Sequence, residues 1–154
     1  MVTARMALIL SGLIQMLGSG MCQAESSKVI GSWKVEVTFQ SGESRSLRVE
    51  ALASGKGSFL LVVPKPIQVL PAVPSAAEWA QSDSQSITFS GPVQFPLGNV
   101  GLQRGILILK GKFETDGTIT GEAKFFVSDQ ETTSPSPKAE PSKSGSFIAT
   151  RTTG

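Results

Sequence analysis

Apolar and polar residues alternate along much of this chain. From Ser32 to Gln40 the sequence reads S-W-K-V-E-V-T-F-Q, with an apolar residue at every second position. A period of two places one set of side chains on a buried face and the other set in water, as in a half-buried strand. Similar segments follow, separated by glycine turns and by Asp116-Gly117, a strong hairpin signal. The pattern therefore predicts antiparallel strands and no helix after residue 24.

Eight strands are predicted, and two long segments interrupt them. Residues 64–75 contain four prolines, which cannot donate to a sheet ladder, so an extended loop is predicted there. Residues 129–144 are rich in Ser, Thr and Pro and have too little apolar surface to order themselves, which predicts a flexible loop. A glycine-rich loop is expected over 98–105, and the last strand over 146–151.

The order of the strands favours one architecture. Eight antiparallel strands that follow one another along the chain predict an up-and-down β-barrel, because closure of the sheet removes its exposed edges. A β-sandwich of two sheets is the alternative. Residues 25–154 are of a size that forms a single domain with one core.

The first 24 residues have the layout of a secretory signal peptide. A short positive start precedes an apolar run over 6–17, and small residues precede a cleavage site after Ala24. The run is about a dozen residues, whereas a transmembrane helix needs about 20. We therefore expect an exported protein, periplasmic or secreted, with no stable membrane span after cleavage. The residues before Cys22 depart from the pattern of bacterial lipoproteins, so lipid anchoring is not expected.

Composition excludes several classes of function. The chain has 14 Lys and Arg against 12 Asp and Glu, which is too balanced for a protein whose main partner is nucleic acid or anionic lipid. It has no His and no Tyr, and its only cysteine is Cys22. The exported chain would therefore lack a His general base, a Cys-His pair, a His/Cys metal site and a disulfide. We expect neither an enzyme nor a cofactor or metal.

Gly31-Ser32-Trp33 opens the first predicted strand. It resembles the Gly-x-Trp at the start of the calycin barrels, the lipocalins and avidins. The resemblance implies that Trp33 plugs the base of the barrel and that a cation from the last strand, Arg151, lies across its ring. It also implies small-ligand binding. Biotin binding is not implied, because the avidin site uses a Tyr and several Trp residues, whereas this chain has no Tyr and only Trp33 and Trp79.

The leading functional prediction is non-enzymatic binding of a small apolar ligand, in the barrel or at its mouth near Trp79. Trp79 follows the proline-rich loop, where it either packs under the loop or contacts a ligand. The other candidate lining residues are predicted to face inward on their strands. With Trp79, the predicted ligand-binding set consists of Leu61, Val63, Phe89, Leu109 and Phe125.

A second prediction concerns the outer wall. Some strands carry apolar residues on both faces, which indicates a covered surface or a binding surface. The residues concerned are Leu60, Val62, Ile106 and Ile108, with Phe126 and Ile148 as further candidates. One explanation is that Ile67, Val69, Leu70 and Val73 of the proline-rich loop cover this wall. The other is an interface with a second copy or an envelope protein, which would make this a structural or protein-interaction module.

Overall fold

The chain forms an eight-stranded, closed, antiparallel β-barrel. The computed structural model describes residues 28–63, 73–97, 101–129 and 132–153, so the predicted signal peptide and most of the proline-rich loop lie outside the described residues. The strands β1 to β8 span Gly31–Phe39, Ser44–Ala51, Lys56–Val62, Ser75–Gln81, Ser86–Pro96, Leu102–Phe113, Ile119–Val127 and Lys143–Arg151. Each strand pairs with the next, and β8 pairs with β1. The predicted up-and-down barrel is confirmed, and the sandwich is excluded.

Alternation along β1 is what turns one face of the sheet inward. Trp33, Val35, Val37 and Phe39 are buried, whereas the residues between them are exposed. Their side chains point to opposite faces because successive residues of a strand alternate. The inward set of each strand joins one core cluster that contains residues of all eight strands.

Several strands extend beyond the segments that the apolar pattern predicts. β6 begins at Leu102, inside the glycine-rich segment expected to be a loop, because Gln103 pairs with Phe95 of β5. β8 begins at Lys143, inside the predicted flexible segment, where Lys143 pairs with Phe125 of β7. Backbone pairing needs no apolar side chain, so a strand can continue where the hydrophobic signal has stopped.

Large side chains fill the middle of the barrel. The largest fully buried side chains of the core are Trp33, Phe59, Phe89, Phe95, Phe125, Phe147, Leu47, Ile87, Leu107, Leu109 and Ile119. Glycines on inward positions leave room for the rings. A Cβ added at Gly111 would lie 2.7 Å from Cζ of Phe147 and 2.8 Å from Cγ2 of Ile119. The aromatic side chains therefore occupy the space that a ligand in the lumen would need.

The strand pairing of the barrel wall differs beyond the first residue of β4. β4 is short, so the upper part of β5, from Gly91 to Pro96, pairs with β6 but with no residue of β4. Pro92 and Pro96 lie in this stretch and have no N–H to offer a foreign strand, which protects the edge from further pairing. The Ser75 hydroxyl donates to the Pro92 carbonyl at 2.5 Å and thereby fixes the end of β4.

Candidate functional site

The two ends of the barrel differ in chemistry. We call the end where β1 begins the closed end, since Trp33 lies there. We call the end where β1 finishes the mouth. The connections β1–β2, β3–β4, β5–β6 and β7–β8 all lie at the mouth, and three of them are longer than a tight turn. Loops of this kind commonly carry binding residues on a rigid scaffold.

Trp33 and Arg151 seal the closed end. Trp33 is 1% exposed, and its indole Nε1 donates to the Val29 carbonyl at 2.8 Å. The guanidinium carbon of Arg151 lies 4.4 Å from the centroid of the Trp33 ring. Arg151 also donates to the backbone carbonyls of Ile30 and Lys28. This is the arrangement that the calycin resemblance implies for these two residues.

The glycine of the Gly-x-Trp motif has a steric role at this end. Gly31 has φ of 135°, and a Cβ there would lie 2.6 Å from Nη1 of Arg151. Any other residue would therefore be strained in its backbone and would push the guanidinium away from Trp33. Gly31 therefore leaves the space in which the guanidinium of Arg151, 120 residues later in the chain, lies over Trp33.

The predicted ligand-binding residues do not surround one cavity. Phe89, Leu109 and Phe125 are fully buried in the core, where they pack among other large side chains. Leu61 is half-buried near the mouth end of β3, and Val63 is half-buried just beyond that strand. The structure therefore places three of these residues in a filled core and two towards the mouth.

Trp79 is the cross-strand neighbour of Phe89 and lies in the half of the barrel nearer the closed end, not at the mouth as predicted. Its ring packs partly against the core, and its Nε1 donates to the carbonyls of Leu52 at 2.7 Å and Lys56 at 3.0 Å. Beside it is a shallow outer cleft of about 320 Å³, lined by Ser54, Gly55, Lys56, Glu78, Trp79, Ala80, Thr88 and Ser90. Most of these residues occupy the strand positions between the inward-facing ones, so their side chains point outward and the cleft lies on the outside of the barrel.

An ion pair crosses this outer cleft. The Lys56 ammonium lies 3.0 Å from Oε1 of Glu78, and the Thr133 hydroxyl donates to Oε2 at 3.3 Å. The hydrogen bond and the charge of Lys56, followed by the hydrogen bond from Thr133, hold the pKa of Glu78 below its usual range. Both charges are largely exposed to water, so this pair contributes little to stability.

The four predicted interface residues do not form one patch. Leu60 and Val62 lie on β3, whereas Ile106 and Ile108 lie on β6, with β4 and β5 between them. Ile106 is 1% exposed although it belongs to the outer face, and its cross-strand neighbour Phe126 is 8% exposed. Val62, in contrast, is 48% exposed.

The β7–β8 connection contacts two strands of the barrel. Its residue Thr133 bonds Glu78 of β4. Near its end, the Ser142 N–H donates to the Phe125 carbonyl of β7 at 2.7 Å. The predicted cover by Ile67, Val69 and Leu70 falls on residues outside the described part, whereas Val73 is described and is exposed.

At the mouth, inward positions carry charged residues above aromatic rings. Arg45 lies two residues before the inward-facing Leu47 on β2, so its side chain also points inward. Its guanidinium carbon lies 5.7 Å from the centroid of the Phe95 ring. The Lys143 ammonium lies 5.8 Å from the centroid of Phe39. Arg45 also reaches across the barrel, where Nη2 donates to the Pro96 carbonyl of β5 at 3.2 Å. Aromatic rings therefore lie at the bottom of the mouth, and two cations lie above them.

Glu43 joins the two cations of the mouth. Its Oε1 accepts from Nη2 of Arg45, and its Oε2 lies 2.5 Å from Nζ of Lys143. The three side chains are 22–24% exposed, so the network is mostly withdrawn from water. The sequence analysis did not predict these residues as a site, because the alternating pattern identifies inward positions only where they are apolar. The position of Arg45, two residues before the inward-facing Leu47, could have shown that its side chain points inward.

Two polar atoms at the mouth have no hydrogen-bond partner within the described part of the chain. They are Nε of Arg45 and Oε1 of Gln103, and both are shielded from water. Gln103 is the cross-strand neighbour of Phe95, and Arg45 lies over the same ring. A third such atom, Nε2 of Gln81, lies at the opposite end of the barrel. The mouth therefore has an unused donor and an unused acceptor close to one aromatic ring.

Among residues 28–63, 73–97, 101–129 and 132–153, no three His, Cys, Asp or Glu side chains cluster as ligands of a metal ion would. In the same ranges, no helix has the length and apolar character needed to cross a membrane. No protein-family model matches the chain, and neither does any curated protein or solved structure.

Proposed function

We propose that this protein is a non-enzymatic binding module that holds a small, mostly apolar ligand at the mouth of its barrel. The observation that carries the proposal is a pair of buried polar atoms, Nε of Arg45 and Oε1 of Gln103, which lie beside Phe95 and have no partner among the described residues. A buried polar atom without a partner costs about 1–3 kcal/mol, and such atoms are rare. A ligand that accepts from one atom and donates to the other would remove that cost.

The apolar part of the site supports the same proposal. Phe39 and Phe95 lie under the two cations, and Leu61 is half-buried nearby on the inward face of β3. The core below them is filled, and Phe39 and Phe95 are themselves 2% and 0% exposed, so a ligand would bind above the rings, where it would displace the side chains that cover them, rather than enter the lumen. The likeness to calycin barrels supports ligand binding at the end opposite the tryptophan plug, and the signal peptide predicted over 1–24 would deliver the module outside the cytoplasm.

The chemistry of the mouth favours binding over catalysis. Its carboxylate, Glu43, accepts from a cation at each of its two oxygens. A carboxylate engaged in this way is poorly placed to remove a proton from a substrate, since a general base needs a free oxygen within hydrogen-bond reach of that proton. The charged groups of the mouth therefore suit the recognition of a ligand.

Titration of the full chain with a neutral apolar fluorophore, N-phenyl-1-naphthylamine, tests this proposal. The protein is expressed with its own N-terminal segment and labelled with ¹⁵N, and amide shifts are followed during the titration. We expect saturable binding, with the shifts confined to Leu61, Gln103 and Lys143 and their neighbours. Amides near Trp33 at the closed end serve as the internal control. Absence of saturable binding, or shifts centred on Trp33 or Trp79, would overturn the proposal.

A further inference from the structure

We infer that the mouth is a carboxylate-binding site which the protein's own Glu43 occupies, and that its ligand is a small aromatic carboxylate. This inference deepens the proposed function and rests on it. It names the head group, the shape of the apolar body and the residue that competes with the ligand. Each of these follows from a separate feature of the mouth.

The head group follows from what the two cations hold. One oxygen of Glu43 bonds Arg45 and the other bonds Lys143, so the carboxylate spans two strands that lie on either side of β1. Charge-assisted bonds of this kind have the geometry that carboxylates prefer with Arg and Lys. The site therefore already demonstrates that it fits a carboxylate at this position.

Glu43 is placed so that it can be displaced. It belongs to the turn between β1 and β2 rather than to the wall of the barrel, and Gly42 beside it has φ of 88°. Arg45 and Lys143, in contrast, are held on paired strands. When Glu43 leaves, water can solvate its carboxylate, so the loss of its ion pairs is largely offset. An incoming carboxylate meets two cations that stay in place, and Nε of Arg45 gives it one donor that Glu43 does not use.

The apolar body follows from the rings beneath the cations. The centroids of Phe39 and Phe95 are 6.1 Å apart, and those of Phe95 and Phe125 are 4.9 Å apart. These rings contact one another edge-on or tilted and are at most 2% exposed, so a long chain could not extend below them. A flat ring can reach Phe39 and Phe95 only after Glu43 has left the mouth, and it would then make the offset or edge-on contacts that aromatic pairs prefer. The combination selects a short aromatic carboxylate.

A matched pair of probes tests the inference. Calorimetry compares 1-naphthoate with its neutral amide, 1-naphthamide, on the wild-type chain and on Glu43→Gln. We expect Glu43→Gln to bind naphthoate at least about tenfold more tightly than the wild type does, because one charge-assisted hydrogen bond is worth about that factor or more. Binding of naphthamide should stay the same. Glu36→Gln is the control, since Glu36 pairs with Lys34 on the exposed outer face.

A second pair of variants keeps the test decisive. If Glu43→Gln does not fold, as judged by its amide spectrum, Glu43→Ser replaces it. Adding Arg45→Met to either variant should abolish the preference for naphthoate over naphthamide. Equal binding of both probes by every variant would overturn the carboxylate inference and leave the binding module intact. Failure of both probes to bind any variant would overturn the binding module as well.

Discussion

The two ends of the barrel use the same contact, a cation over an aromatic ring, in two different ways. At the closed end Arg151 lies over Trp33 and donates to backbone carbonyls of the segment that leads into β1. At the mouth Arg45 and Lys143 lie over Phe95 and Phe39 and share one carboxylate from a turn. Arg151 bonds backbone carbonyls, whereas Arg45 bonds both the Glu43 carboxylate and the backbone carbonyls of Pro96 and Ser44, and Lys143 bonds Glu43.

In the function proposed above, this difference separates a structural seal from an exchangeable site. Backbone carbonyls cannot leave without unfolding the segment that carries them. A side-chain carboxylate on a turn can be replaced by another carboxylate at small cost, because both are solvated when free. We therefore expect the mouth, rather than the closed end, to accept a ligand.

The largest effect is expected from the core that separates the two ends. Phe125→Ala removes a fully buried ring that contacts Phe95, and should lower the free energy of unfolding by about 3–5 kcal/mol. Val127→Ala on the same strand is the control, since Val127 is 51% exposed and should change stability by less than about 1 kcal/mol. Urea denaturation measures both. Similar losses for the two variants would show that the centre of the barrel is not tightly packed.

A loss of stability of intermediate size is expected from two variants that compare the two ends directly. Arg151→Met removes a cation–π contact worth about 1 kcal/mol and leaves carbonyls without a donor, so we expect a loss of about 1–2 kcal/mol. Lys143→Met breaks an ion pair that is about one quarter exposed, and should cost about 1 kcal/mol or less. Urea denaturation at low and at 0.5 M salt should show that salt reduces the effect of Lys143→Met more.

The comparison of the ends would be wrong if the order of these two losses were reversed. It would also be wrong if salt weakened both losses to the same extent, since that would mean that Arg151 acts mainly through an ion pair. In either case the closed end would not be the more fixed of the two.

The smallest effect is expected at a turn of the closed end. Asp116, in the β6–β7 turn, accepts from the side chain and the backbone N–H of Thr118, and these bonds hold its pKa below the usual 3.8. A lowered pKa in the folded state stabilises the protein above about pH 4, and this contribution is lost as the pH falls through the folded-state value. Asp116→Asn should therefore be slightly less stable at neutral pH.

Urea midpoints of the wild type and Asp116→Asn across the acid range measure this effect. The difference between the two proteins should narrow below about pH 4, where the wild-type carboxylate becomes protonated. A difference that widens on acidification would contradict the assignment of these hydrogen bonds to the ionised form of Asp116.

Alternation predicted the strands better than it predicted their ends. β1 follows the apolar pattern residue by residue, so its inward face could be predicted from Trp33 to Phe39. The start of β8 at Lys143 could not, because nothing apolar marks the residue there. The same reason explains why Arg45 and Lys143 were not predicted as site residues. They occupy inward positions as cations, and only the rings and the carboxylate brought near them by the fold make those positions favourable.

The surroundings of the predicted ligand-binding residues could not be predicted for a related reason. Phe89, Leu109 and Phe125 were predicted to line a cavity because they face inward, and they do face inward. Whether inward residues surround a space or fill it depends on the sum of side chains from all eight strands. Glycines such as Gly111, which admit the Phe147 ring, contribute to that filling and give no apolar signal of their own.

The sequence by itself determined the class of fold and the number of strands, because alternation and turns can be recognised one segment at a time. The resemblance of Gly31-Ser32-Trp33 to the calycin motif implied the contact of Trp33 with Arg151 of the last strand. Only the tertiary structure decided that the core is filled, that Thr133 of the β7–β8 connection reaches Glu78 of β4, and that Glu43, Arg45 and Lys143 meet at the mouth. Those outcomes depend on strand register and on volumes shared between distant segments, which no local pattern contains.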